Sequence, residues 1–113
     1  MKLEFKTKKL KGFCENPKLA QKEYGAAIGN KLTQRVNELY RAVSLVDISK
    51  NPAARLHRLK GARDDEYTVD LVHPFRLILK PIVDSKDDLN KLELIKIVRI
   101  EEVTDYHGKQ KRK

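Results

Sequence analysis

A single cysteine, Cys14, stands in the 113 residues, so no intrachain disulfide can form and no thiolate zinc cluster can be built. Such sparing use of cysteine fits a reducing compartment. Unbroken apolar stretches are missing as well. The N-terminal MKLEFKTKKLKGF alternates charged with apolar residues and lacks the apolar run of a signal peptide or membrane span, so the protein is expected in the cytosol, off the membrane. There is no glycine-rich loop followed by Lys-Ser or Lys-Thr, which excludes a P-loop nucleotide site. Three histidines and dispersed carboxylates match no His-x-x-x-His helix, so neither a metal nor a cofactor is expected. Acidic residues are also in short supply. With 16 Asp+Glu against 25 Lys+Arg, the formal charge is +9, and the surrounding field should draw in polyanions.

What is present suits one globular unit. Hydrophobic residues make up 40% and charged residues 36%, enough for a core inside a heavily charged exterior. Residues 1–107 read as a single domain, and residues 108–113, with Lys109, Lys111, Arg112 and Lys113, as a basic tail expected to be flexible. The tail serves solubility as readily as binding.

Apolar and charged residues roughly alternate after Lys2, with Leu3, Phe5 and Leu10 between lysines, which predicts an edge strand over residues 2–9. Asn16-Pro17 is a helix start, Asn as cap and Pro in the first turn. From Lys31 to Val46, Leu32, Val36, Leu39, Tyr40 and Val43 recur at three- and four-residue spacings on one helical face. Between these, Gly25 and Gly29 mark either a break or a close approach of backbones, giving two helices or one bent one. Ser49-Lys50-Asn51-Pro52 ends the helical region. The runs Glu66–Val72, Phe75–Lys80 and Leu92–Val103 then predict an antiparallel meander, with one of the last two as its central strand. The expected class is α+β, ordered β-α-α-β-β-β, with the helices on one sheet.

Three polar clusters hold all the histidines: residues 56–63 around His57, residues 73–76, and Thr104-Asp105-Tyr106-His107. Histidine is the side chain best suited to proton transfer near neutral pH. In the first cluster Arg58 and Lys60 can pin phosphates while His57 exchanges a proton with a hydroxyl, and Gly61 permits close approach. Metal-free RNA cleavage calls for such parts: a base for the 2′-hydroxyl, cations for the phosphoryl charge, an acid for the leaving 5′-oxygen. Basic residues around one histidine are equally ordinary surface chemistry. In the last cluster a carboxylate can orient an imidazole and a tyrosine can stack on a base, whereas the competing reading is a frayed polar terminus. If the strand runs on, Asp105 and His107 share one side and Tyr106 the other. His73, before Pro74 in a tight turn, reads as a solvated turn residue, and Cys14 as a free thiol.

Together, Arg55-Leu56-His57-Arg58-Leu59-Lys60-Gly61, then Pro74-Phe75-Arg76-Leu77-Ile78-Leu79, and a closing Asp105-Tyr106-His107 resemble the HigB branch of the RelE/ParE toxin superfamily, in order over most of the chain. The resemblance implies a RelE-like fold, two helices against an antiparallel sheet, and a ribosome-dependent messenger RNA endonuclease, the toxin of a type II toxin-antitoxin system. It implies proton transfer by His57 and His107 with Asp105 assisting, Lys60 and Arg76 on the scissile phosphate, and Tyr106 stacking or donating a proton. Arg58, Arg63, Tyr67 and Lys109 become secondary RNA-binding positions. The implied partners are a HigA-like antitoxin, the ribosome and messenger RNA, with DNA reached only through the antitoxin complex. Two departures from compact members stand out: residues 84–91 lengthen a hairpin, and six residues follow His107. The competing functions are a ParE-like topoisomerase poison, which needs no His/Asp/Tyr cluster, and a non-catalytic binding protein of the same fold.

Overall fold

Residues 1–105 are described by the structure, a computed structural model of the chain. Strand β1 (Lys2–Phe5) stops short of residue 9, because Thr7 turns the chain into a helix that the alternating pattern did not suggest. The Thr7 hydroxyl accepts from the Leu10 amide at 3.0 Å, and α1 (Lys8–Glu15) buries Leu10 and Cys14 one turn apart. Leu10 fits either period, and the cap decides between them. Asn16 ends this helix and begins the next. Its side-chain oxygen accepts from the amides of Lys18 and Leu19 at 3.0 and 3.2 Å, starting α2 (Pro17–Tyr24) where the sequence expected a helix.

The two glycines perform both of the roles left open. Gly25, at φ +87°, separates α2 from α3 (Ala26–Arg41), so there are two helices rather than one bent one. Gly29 lets them close up, since a Cβ there would stand 2.7 Å from the Gln21 backbone. In α3, Leu32, Val36 and Leu39 are buried as the spacing predicts, whereas Tyr40 and Val43 are 43% and 72% exposed. The chain leaves the helix at Ala42, so Val43 is not on its stripe. A short helix, α4 (Leu45–Ser49), follows, and Asn51-Pro52 ends the helical region in a 3-10 turn, Pro52–Ala54.

Four further strands, β2 (His57–Arg58), β3 (Tyr67–Asp70), β4 (Phe75–Pro81) and β5 (Ile97–Asp105), complete a five-stranded sheet ordered β1-β5-β4-β3-β2. Strands β2 to β5 pair antiparallel, β3 with β4 across a tight turn and β4 with β5 across the longer segment 82–96, but β1 lies parallel to β5. The meander of β3, β4 and β5 is antiparallel as expected, but with β1 the whole sheet is mixed, which corrects the antiparallel sheet that the resemblance implied. A tight turn forces antiparallel pairing, whereas nearly the whole chain separates β1 from β5 and leaves their relative direction free. Strand β5 also starts later than expected, since Leu92–Leu94 is a 3-10 turn.

The class is α+β. Apolar residues of all four helices share one core with Tyr67, Val69, Leu77, Leu79, Val98, Ile100 and Val103 from one face of the sheet. A register shift at Ile78/Leu79 leaves Glu101 as an extra residue in β5, which is why Ile100 and Val103, three apart, both face this core. Alternation sends Thr68, Arg76, Ile78, Glu102 and Thr104 to the opposite face. Among the described residues, no helix is long and apolar enough to cross a membrane.

Candidate active site

The polar clusters that are far apart in sequence reach one end of the sheet, because β2, β3, β4 and β5 are successive antiparallel neighbours. One rung across the strands reads His57, Thr68, Ile78, Glu102, and a later rung reads Asp70, Arg76, Thr104. Continuing the β2–β3 register two residues back sets Arg55 opposite Asp70, and the Arg55 Nε donates to the Asp70 carboxylate at 2.8 Å. With strands ~4.8 Å apart and ~3.3 Å per residue, His57 and Arg76 stand roughly 12 Å apart at the backbone, within reach of one phosphodiester for side chains of their length.

Asp105 arrives at the same end but on the other face. It pairs with Phe75, which packs against the core, whereas Thr104 pairs with Arg76. Lys60 lies the opposite way along β2, five residues from the Arg55 rung, roughly 16 Å away, and is exposed. Tyr106, His107 and Lys109 lie outside the described residues.

Three residues assigned to RNA by sequence have their functional groups engaged within the fold. Arg58 donates from Nε to the Asp64 carbonyl at 2.5 Å and from Nη1 to Asn90 at 2.6 Å, tying two loops together. Arg63 spans Glu66 at 2.5 Å and Glu102 at 2.7 Å, and the hydrogen bond to Glu66, more than that to Glu102, holds its guanidinium above the ordinary pKa. The Tyr67 ring is 6% exposed and its hydroxyl donates to the Leu89 carbonyl at 2.5 Å, so the ring packs in the core. Burial raises that phenol above its usual pKa. No stacking platform is offered by Tyr67.

What positions the site came mostly from residues the sequence reading passed over. Arg35, 2% exposed on α3, donates to the backbone carbonyls of Asp70 at 2.8 Å and Ala53 at 3.0 Å and pairs with Glu38 at 3.0 Å. It thereby locks the end of β3 to the turn that carries Arg55. Its signal was visible, because a charged residue beside Val36 sits within the apolar stripe Leu32, Val36, Leu39 and needs buried partners. Arg55 carries no comparable signal. It is the one non-glycine residue with positive φ among the described residues, at +48°, and its carbonyl lies 2.9 Å from His57 Nδ1. Asp70 was unnoticed too, since an acidic residue at a strand end is common turn chemistry.

Among the described residues, no three His, Cys, Asp or Glu side chains gather in a metal-binding arrangement. The arrangement offers an imidazole with one nitrogen held, Arg76 on the later rung at the same sheet end, and between them the Arg55 guanidinium bound to the Asp70 carboxylate. Those are parts for moving a proton beside an anion. No protein-family model matches the sequence, and no curated protein matches it either.

Proposed function

We propose that the chain is a metal-independent endoribonuclease of RelE-like fold and HigB-like activity, the toxin of a type II toxin-antitoxin pair that cuts messenger RNA on the ribosome. The observation that carries this reading is the convergence of His57, Arg76 and the end of β5 at one end of the sheet, from segments remote in sequence. The charge of +9 supports a polyanionic substrate. Helices gathered on one face of the sheet support the RelE-like assignment, while the parallel β1 and the additional helices α1 and α4 depart from a two-helix, antiparallel form.

In the reaction, a base removes the 2′-hydroxyl proton and the 2′-oxygen bonds to phosphorus. The bond to the 5′-oxygen breaks, that oxygen takes a proton from an acid, and a 2′,3′-cyclic phosphate remains. His57 and His107 are the base and acid, and Arg76 stabilises the phosphoryl oxygens. Asp105 holds the end of β5 from the helix-bearing face, and Tyr106 completes the triplet. Lys60, at the far end of β2, adds field rather than contact, Lys109 remains an RNA-binding position, and Arg58, Arg63 and Tyr67 are structural. A HigA-like antitoxin neutralises the toxin, and DNA is reached only through that complex.

Primer extension on messenger RNA under translation, with purified protein and ribosomes, tests the assignment. Wild type should give new 3′ ends, and His57→Ala and His107→Ala should each slow cutting about 10²- to 10⁴-fold. Absence of cutting by wild type, or cutting by His107→Ala as fast as by wild type, would overturn it. Inhibition of gyrase supercoiling in a parallel assay would point to a topoisomerase poison instead.

A further inference from the structure

We infer that Arg55 is a positioning residue that fixes His57 as the Nδ1–H tautomer, leaving Nε2 as the nitrogen through which a proton enters and leaves. His57 Nδ1 lies 2.9 Å from the Arg55 carbonyl oxygen, which accepts hydrogen bonds and cannot donate one. The proton of the neutral ring is therefore on Nδ1, and the lone pair is on Nε2. The contact survives protonation, because both nitrogens of the imidazolium donate. One nitrogen is held and the other is spent on the substrate.

The contact exists because of the backbone at Arg55. In an extended strand the carbonyl of residue 55 would point sideways into the ladder with β3. At φ 48° and ψ 48° it points instead toward the ring two residues on. A left-handed conformation is unfavourable for a residue with a Cβ, and hydrogen bonds of Arg55 and its neighbours hold it. The Arg55 amide donates to the Pro52 carbonyl at 3.1 Å, closing the turn. The guanidinium donates to the Asp70 carboxylate at 2.8 Å. Arg35, from the core, holds the carbonyls of both Ala53 and Asp70 at 3.0 and 2.8 Å, fixing the turn against the strand. Glycine would adopt this conformation freely, but it would carry no side chain to reach Asp70.

That Nε2 serves as the base for a 2′-hydroxyl rests on the nuclease reading above; the tautomer does not. Nitrogen chemical shifts of the imidazole rings, read by long-range proton–nitrogen correlation on the full chain at a pH where the rings are neutral, settle the tautomer directly. His57→Gln assigns the signals. Wild type should show a protonated Nδ1 and an unprotonated Nε2 at His57. Arg55→Gly and Arg55→Asn, which tolerate the left-handed region, should keep that pattern. Arg55→Val, β-branched and strongly disfavoured there, should shift the ring toward Nε2–H and slow single-turnover cutting about 10²-fold, the scale of a misplaced catalytic group.

A wild-type ring protonated on Nε2 overturns the inference, as does an unchanged tautomer in a folded Arg55→Val. Should that variant lose its fold by circular dichroism, the wild-type tautomer and its retention in Arg55→Gly decide the matter. If the tautomer is as stated but His57→Ala cuts as fast as wild type, the positioning stands and the nuclease role of His57 falls.

Discussion

Cys14 is 4% exposed, and burial, with the charge of Glu15 second, pushes its thiol from 9.0 up to about 12. Such a thiol is an inert core residue at neutral pH. The shift also sets a pH dependence. An acid whose pKa is higher in the folded state keeps its proton there after the unfolded chain has released it. Unfolding then gains free energy as pH rises, so stability falls from about pH 9 until the folded thiol itself ionises. Tyr24, whose phenol is raised mainly by burial, steepens the fall above pH 10, and Tyr40, raised to about 12 by burial and its bond to Glu15, adds less because it is largely exposed. Urea unfolding across the alkaline range should show this decline, and Cys14→Ala should remove the part that begins near pH 9. An unaltered profile in the variant would rule the thiol out as its source. At this scale the sequence revealed residue types better than their tasks. His57 and Arg76 stood out as chemistry and reach one end of the sheet, whereas Tyr67, expected as a secondary RNA-binding position, packs in the core. A tyrosine on a strand faces core or solvent according to register, which its neighbours in sequence do not specify.

Elements were legible where a local signal is strong. Asn16-Pro17 marked a helix start because an Asn side chain and a proline ring act on their own backbone, and the strand runs around residues 66–80 carried clear patterns. Helix α1 was missed, since its lysines and few apolar residues suit either period and a single cap at Thr7 tips the balance. Between elements, Arg35 is the strongest tie: it joins α3 to the end of β3 and to the turn before β2. Its side chain is 3% exposed, and replacing it by Met strands the two carbonyls and leaves Glu38 without its cation. Arg35→Met should therefore cost about 3 kcal/mol, with an unchanged denaturant slope, in urea unfolding followed by circular dichroism. A loss under about 0.5 kcal/mol would show that water replaces the guanidinium and that the tie is dispensable.

For the whole molecule, the +9 charge makes a quantitative claim about salt. Binding of a labelled single-stranded RNA, followed by fluorescence anisotropy, should weaken linearly in log–log form, with a slope near −0.7 per phosphate neutralised. Ending the chain after Asp105 removes Lys109, Lys111, Arg112 and Lys113 and should make that slope shallower by up to about 3. No change on truncation would assign the tail to solubility alone. Composition by itself determined the charge and the absence of an intrachain disulfide, and periodicity determined the α+β class, because these are sums or short-range patterns written in adjacent residues. Only the tertiary structure decided that β1 runs parallel to β5, that Asp105 and Arg76 take opposite faces, and that Arg55 rather than Lys60 stands at the rung of Arg76. Each of those depends on which strands pair and in what register. Pairing is settled by how apolar surface from the whole chain is buried at once, and no window of sequence contains it.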